Sequence, residues 1–460
     1  MRSGYFIYKD ERYSFELDDE YITIVNENGM DWKKFLDNFN KEYKGANSVQ
    51  ILNVKLFPNW NDAIILHNHN LDSIGEVSTF KIQGIIEFKN EKQNVDALKI
   101  YSKELEHIYD SRKILESIKY NKTGEMDLKI KASEKVNSEK KQIKLKNEII
   151  GYYFGIERKV KNINEGYFSG DSFLRFEWNS LVEDYKLVYE IVMTGYYFLS
   201  YLCYRQNINL KRIELLKKDE NGKYFSVAQM TLFIHNMSDA EDEYIRGYQI
   251  NFDYVKTIDD KILQAIIDEN IFIRNIPENE LERNKITPQS FVLVSSAFEW
   301  EFNQLFPNGV EHSKVQLNEI EEIKNDLMQL SDNYDKTKKK AIKKIIENIG
   351  KDNLESKIIY ANKKLGYMSE MFLKHLCDLN SINNKNRIFT CLQKLRNDFA
   401  HGNMDIDIDS DGFVGITYLE RLIYIMQLKR LGLDDDNIIK AINGLFCNRN
   451  YKVTRGSKEI

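Results

Sequence analysis

A change of hydrophobic period near Asn251 constrains this chain more than any other feature. Before it, apolar residues alternate in short runs. After it, they recur every three to four residues. Period two puts successive side chains on opposite faces of a strand, and period 3.6 lines one face of a helix. The chain therefore reads as an α+β protein of two domains. A β-rich, sandwich- or barrel-like domain spans 1–251 and an all-α bundle spans 252–460. With 460 residues, each part is long enough to bury its own core.

The first part is built from short runs such as "RYSFEL", "EYITIV", "VQILNVKLF", "DAIILHN", "STFKIQGIIEF", "DLKIKAS" and "SFLRFEW". They are rich in β-branched and aromatic residues and are separated by Asn, Asp and Gly clusters. "NLKRIELLKKDENGKYFSV" predicts a hairpin turning at Glu220-Asn221-Gly222. The main helical interruption is 181–205, too densely apolar for a surface helix and expected to pack on a sheet. Its uncharged stretch, 191–204, has 14 residues, whereas a membrane span needs about 20. We expect no membrane association. With no N-terminal signal pattern and four scattered cysteines (Cys203, Cys377, Cys391, Cys447), the expectation is a cytoplasmic protein with reduced thiols and no structural metal or cofactor.

In the second part, Thr287-Pro288 is an N-cap followed by proline at the first helical position. Phe291, Val294, Phe298, Phe302 and Leu305 then form one stripe, ended by Pro307-Asn308-Gly309. A charged helix is expected near 317–330, and a basic one in "KTKKKAIKKIIENIG" stopped by Gly350. "NRIFTCLQKLRNDFAH" places Ile388, Leu392, Leu395 and Phe399 on one face. Two more helices close a bundle of five to seven.

The end of that last stripe carries the most specific chemistry. Arg396 and His401 are five residues apart, about 140° around an ideal helix, so they flank the buried stripe from opposite sides. Two copies related by a two-fold axis would line one cleft with two arginines and two histidines. Histidine exchanges a proton near neutral pH, and the arginine fork matches a phosphate. Together they suit attack by a ribose 2′-hydroxyl, which needs no metal. Asn397, four residues before His401, shares its face and is placed to orient the imidazole. The plainer reading is a solvated helix end whose cations are favoured by the helix dipole.

"LRNDFAHG" resembles the R-x(4–6)-H signature of HEPN domains, with Asn397 as the polar residue after the arginine. "SFVLVSSAFEWEFNQLF" looks like the first HEPN helix, which often carries an acidic residue, here Glu299. "LKIYSKELEHIYDSRK" and "GYYFLSYLCYRQNINLKRIEL" resemble parts of the N-terminal region of the ApeA-like group. The resemblance implies a metal-independent, homodimeric or higher-oligomeric endoribonuclease used in anti-phage defence by abortive infection. Transfer RNA is a candidate substrate, and a phage-derived trigger would act at the N-terminal domain. Arg396 would contact the scissile phosphate, His401 would act as acid–base group, and Asn397 would orient the histidine or substrate. Glu299 and Asp398 would be supporting polar groups. Some HEPN domains instead bind a nucleotide, RNA or a partner protein without cutting.

Two further patterns need weighing. Asp407, Asp409, Asp411 and Gly412 fit positions 1, 3, 5 and 6 of a calcium loop. Position 12 needs a bidentate glutamate but holds Tyr418, so an acidic connector is the expectation. Lysines cluster twice, at Lys336, Lys338, Lys339, Lys340, Lys343 and Lys344, and at Lys135, Lys140, Lys141, Lys144 and Lys146. The net charge of −5 means that any polyanion is held by such local patches. We assign RNA binding to Lys338, Lys339, Lys340 and Lys343, which share a domain with Arg396. No phosphate-loop, G-x-S-x-G or H-E-x-x-H motif occurs.

Overall fold

The computed structural model describes residues 2–18, 20–25, 49–74, 77–120, 126–130, 136–162, 167–182, 184–234, 248–283, 285–380, 384–403 and 405–446. Lys135 and Cys447 lie outside them. The first part is a barrel continued by an open sheet. Its strands are β1 (Arg2–Tyr8), β2 (Glu11–Asp18), β3 (Tyr21–Val25), β4 (Gln50–Leu56), β5 (Asn61–Ile74), β6 (Val77–Phe88) and β7 (Val95–Ser102). β8 (Leu115–Tyr120) and β9 (Met126–Ile130) pair separately, and β10 (Lys141–Leu145), β11 (Glu148–Asn162), β12 (Tyr167–Val182), β13 (Leu210–Lys218) and β14 (Tyr224–Leu232) follow.

β6 joins barrel to sheet. One edge pairs with β5 along its length. The other edge pairs with β3 over Val77–Lys81 and then with β14 over Gly84–Phe88. The circuit β6-β3-β2-β1-β4-β5 thereby closes, and β14-β13-β7-β12-β11-β10 runs outward from it. Alternation fills the barrel: Tyr13, Phe15 and Leu17 of β2 and Leu52, Val54 and Leu56 of β4 share one core with Phe6, Ile22, Ile24 and Phe80. The expected hairpin is present, with Gly222 at φ +79° between β13 and β14.

Helix α1 (Tyr185–Cys203) packs on β12 and buries Val188, Ile191, Val192 and Leu199, as its composition requires. Among the described residues no helix is long and apolar enough to cross a membrane. The first compact unit extends to Asn270 and takes in 276–283, past the expected boundary at Asn251. The reason is α2 (Asp259–Ile267), which buries Ile262 and Leu263 and docks on α1 and β10. Its Asp259 carboxylate accepts from the Tyr152 hydroxyl at 2.7 Å and pairs with Lys141.

The second unit, 271–275 with 284–446, is all-helical. Its helices are α3 (Pro288–Leu305), α4 (Lys314–Asp332), α5 (Lys336–Asn348), α6 (Leu354–Leu365), α7 (Tyr367–Leu379), α8 (Lys385–Ala400), α9 (Ser410–Arg430) and α10 (Asp435–Phe446). Among the described residues these are eight, against the five to seven expected. Gly366, at φ +58°, divides 354–379 into two. The apolar stripe predicted for α3 is its buried face, and Thr287 caps it in a reciprocal pair with Ser290. α9 is apolar on nearly every side and packs against α3, α7, α8 and α10, so it is the centre of the bundle.

Candidate active site

α8 carries Arg396, Asn397, Asp398 and, at its C-cap, His401. Asn384 caps its first turn by accepting from the Asn386 amide at 3.1 Å. Ile388, Leu392, Leu395 and Phe399 are buried as the sequence predicted, and Phe399 meets Phe291 of α3 edge-on at 5.3 Å. The approach to α9 depends on glycines. A Cβ at Gly412 would sit 2.6 Å from Leu395 Cδ1, and one at Gly415 2.6 Å from Leu392 Cγ. Larger residues there would push the helix bearing Arg396 off its seat.

The helix ends in a Schellman motif. The Asn403 amide bonds to the Asp398 carbonyl at 3.0 Å, and the Gly402 amide to the Phe399 carbonyl at 3.1 Å, with Gly402 at φ +87°. This turn ends the helix immediately after His401, whose side chain is exposed. Among the described residues the imidazole has no hydrogen-bond partner.

Arg396 lies on the side facing α3. Its Nη2 is 3.2 Å from Glu299 Oε2, and its Nη1 is a long 3.4 Å from Asn397 Oδ1. The Asn397 amide thus engages the arginine and not, as its four-residue spacing suggested, the imidazole. The other oxygen of Glu299 is 3.6 Å from Lys357 Nζ of α6. No motif or spacing pointed to Lys357. Its position depends on contacts across the bundle: Gln393 of α8 accepts from the Leu354 amide at 2.7 Å, and Thr390 donates to Glu355 at 2.7 Å. Glu299 therefore bridges two cations, and the cluster retains one positive charge. A guanidinium has five N–H donors, of which this one uses two, so a phosphate can still be received. The Asp398 side chain makes no ion pair among the described residues, and its carbonyl belongs to the helix end.

The aspartates after His401 have structural roles. Asp409 is the N-cap of α9, accepting from the Gly412 amide at 2.8 Å. Asp411 is buried and paired with Arg387. Gly412 lies inside the helix, and Tyr418 is fully buried, donating to Asn362 Oδ1 at 2.8 Å. Helix from Ser410 onward leaves no twelve-residue loop to wrap a calcium ion. Cys391, beside Asp409, is pushed up to about 12 by burial and that carboxylate, so it is no thiolate nucleophile.

The two lysine clusters differ. Lys140 pairs with Glu177 at 2.5 Å, Lys141 with Asp259 and Asp260, and Lys146 with Glu190 at 2.7 Å. That run ties β10 and its flanking turns to its own unit. On α5, Lys339 pairs with Asp332 at 2.7 Å and Lys338 is 3.9 Å from Asp335, while Lys340 and Lys343 are exposed. Comparison of the chain with family models, curated proteins and solved structures found no match.

Proposed function

We propose that the chain is a metal-independent endoribonuclease of the HEPN type, working as an abortive-infection effector against phage. The observation that carries this reading is the end of α8. There Arg396 is held by Glu299 beside Lys357, and His401 stands exposed at a helix terminus. One His401 takes the proton of a ribose 2′-hydroxyl. The 2′-oxygen bonds to phosphorus, the bond from phosphorus to the 5′-oxygen breaks, and a second protonated histidine supplies that oxygen with its proton. Arg396 binds the phosphate as its charge grows. Because Arg396 and His401 flank one helix, the second histidine comes from a second copy of the chain. The products are a 2′,3′-cyclic phosphate and a 5′-hydroxyl.

Lys340 and Lys343, and more weakly Lys338 and Lys339, attract RNA, with transfer RNA a candidate substrate. The barrel-and-sheet unit senses the trigger, for which a phage component is the natural candidate. The Glu299 carboxylate favours a second reading as well: an arginine already paired suits a non-catalytic HEPN module that binds a nucleotide, RNA or partner protein. Induced expression of the chain and of His401→Ala, with growth and cellular RNA followed together, separates the two. The nuclease reading expects RNA fragmentation with the parent alone. Identical RNA profiles would sink it.

A further inference from the structure

The hairpin of α4 and α5 is built unlike the rest of its unit. Between them, these helices bury one side chain, Ser331. Yet the apolar residues of α4 from Leu317 to Leu330 occupy an arc of about 160°. α5 covers only the middle of that arc. Ile320 and Leu327 on α4, and Ile342 and Ile346 on α5, form a half-buried seam. The flanks stay open: Leu317, Ile323, Met328, Leu330 and Ile345 are each between 45% and 57% exposed. A shallow hollow lined by Lys344, Ile345, Asn348 and Ile349 lies on the same stretch of α5. Two helices of this length, packed mainly on each other, are marginal in water. Covering both flanks takes two more helices.

The charges say which helices these are. α4 has five acidic side chains against two basic, and α5 has six lysines against one glutamate. A nucleic acid or an anionic lipid surface would match α5 but be repelled by α4, and it would leave the apolar flanks bare or half used. The hairpin itself carries both complements. We propose that it docks on the same hairpin of a second copy, in an antiparallel four-helix bundle where each α4 lies beside the other copy's α5. Ile323, Leu330 and Ile345 then enter a shared core, and the acidic rim of α4 meets Lys338 and Lys344, which flank Ile345. Lys340 and Lys343 lie about 140° and 160° from Ile345 by helical angle and remain on the outside, where they can attract RNA. The assembly does not rest on the nuclease reading, because its readout is mass.

Sedimentation of the full chain at micromolar concentration tests it. The parent is expected as a dimer, and Ile323→Lys/Leu330→Lys is expected to weaken association about 100-fold, as loss of central apolar anchors does. Both side chains are exposed in one copy, so the variant should still fold, and its melting temperature should lose the dependence on concentration that the parent dimer shows. A charge exchange makes the test specific. Glu319→Lys/Asp326→Lys and Lys338→Glu/Lys344→Glu should each be monomeric alone and form a mixed dimer when combined. A monomeric parent at tens of micromolar would overturn the proposal. So would a dimer that survives these variants, or charge-exchanged chains that fail to pair.

Discussion

Two glutamates on α3, Glu299 and Glu301, stand two residues apart, and each pairs with an arginine from a later helix. Glu301 is fully buried. It receives Arg430 at 3.1 Å, the Gln427 amide at 2.8 Å and the Phe272 backbone amide at 3.2 Å. Glu299 is a quarter exposed, and its partner Arg396 somewhat more. The same chemistry on opposite sides of one helical turn therefore serves different ends. The buried pair joins α3, α9 and the segment at Phe272. The open pair holds a guanidinium within reach of solvent and of any anion that arrives. Desolvation makes a buried pair costly to break, and exposure makes the other nearly free to exchange partners.

Truncating the buried acid should have the largest effect. Glu301→Ala removes the acceptor that Arg430, the Gln427 amide and the Phe272 backbone amide share, and should cost about 3–5 kcal/mol in denaturant unfolding. If it costs no more than Glu299→Ala, the distinction fails. Burial also pushes the Glu301 carboxyl above the ordinary carboxylate range, with Arg430 and Gln427 pulling it back. The folded state then binds more protons there than the unfolded chain. Stability from this group is greatest below the ordinary carboxyl range and falls as pH rises through the raised value. Glu301→Gln should lack that decline when unfolding free energies are compared from acid to neutral pH.

For the open pair the expectation is reversed. Arg396→Ala should change stability by no more than about 1 kcal/mol. RNA cleavage by it should fall about 100- to 1,000-fold, as for loss of a donor to a developing oxyanion. A large loss of stability would mark Arg396 as structural like Arg430. The smallest effect is expected at Gly402. A Cβ there meets nothing within 4 Å, so Gly402→Ala pays only for its φ of +87°, about 1 kcal/mol in unfolding free energy. Any larger drop in cleavage would show that the turn also sets the position of His401.

How much of this was legible in the sequence follows from the range of the interactions. Alternation along "RYSFEL" and the stripe from Ile388 to Phe399 are local patterns, and both became the core faces they implied. The cap at Thr287 and the turn at Gly402 are local as well. Barrel closure was not legible, because it depends on one edge of β6 being shared between β3 and β14, strands far apart in the chain. The boundary near Asn251 marked the change of period. The packing boundary moved on because Asp259 reaches back to Tyr152 and Lys141. Within the site, Arg396, His401 and Glu299 could be named from motif and period. Lys357 could not, since only the folded bundle brings α6 beside α3, and Asn397 turned to its neighbour where spacing pointed to His401.

The proposed function has Arg396 and His401 cut RNA by 2′-hydroxyl attack. Its most direct test is the chemistry of the ends left on RNA by the purified full chain in the presence of a chelator. The expected result is 5′-hydroxyl and 2′,3′-cyclic phosphate ends from the parent and almost none from Arg396→Ala or His401→Ala. Ends with a 5′-phosphate and 3′-hydroxyl, or equal cutting by the two variants, would contradict it.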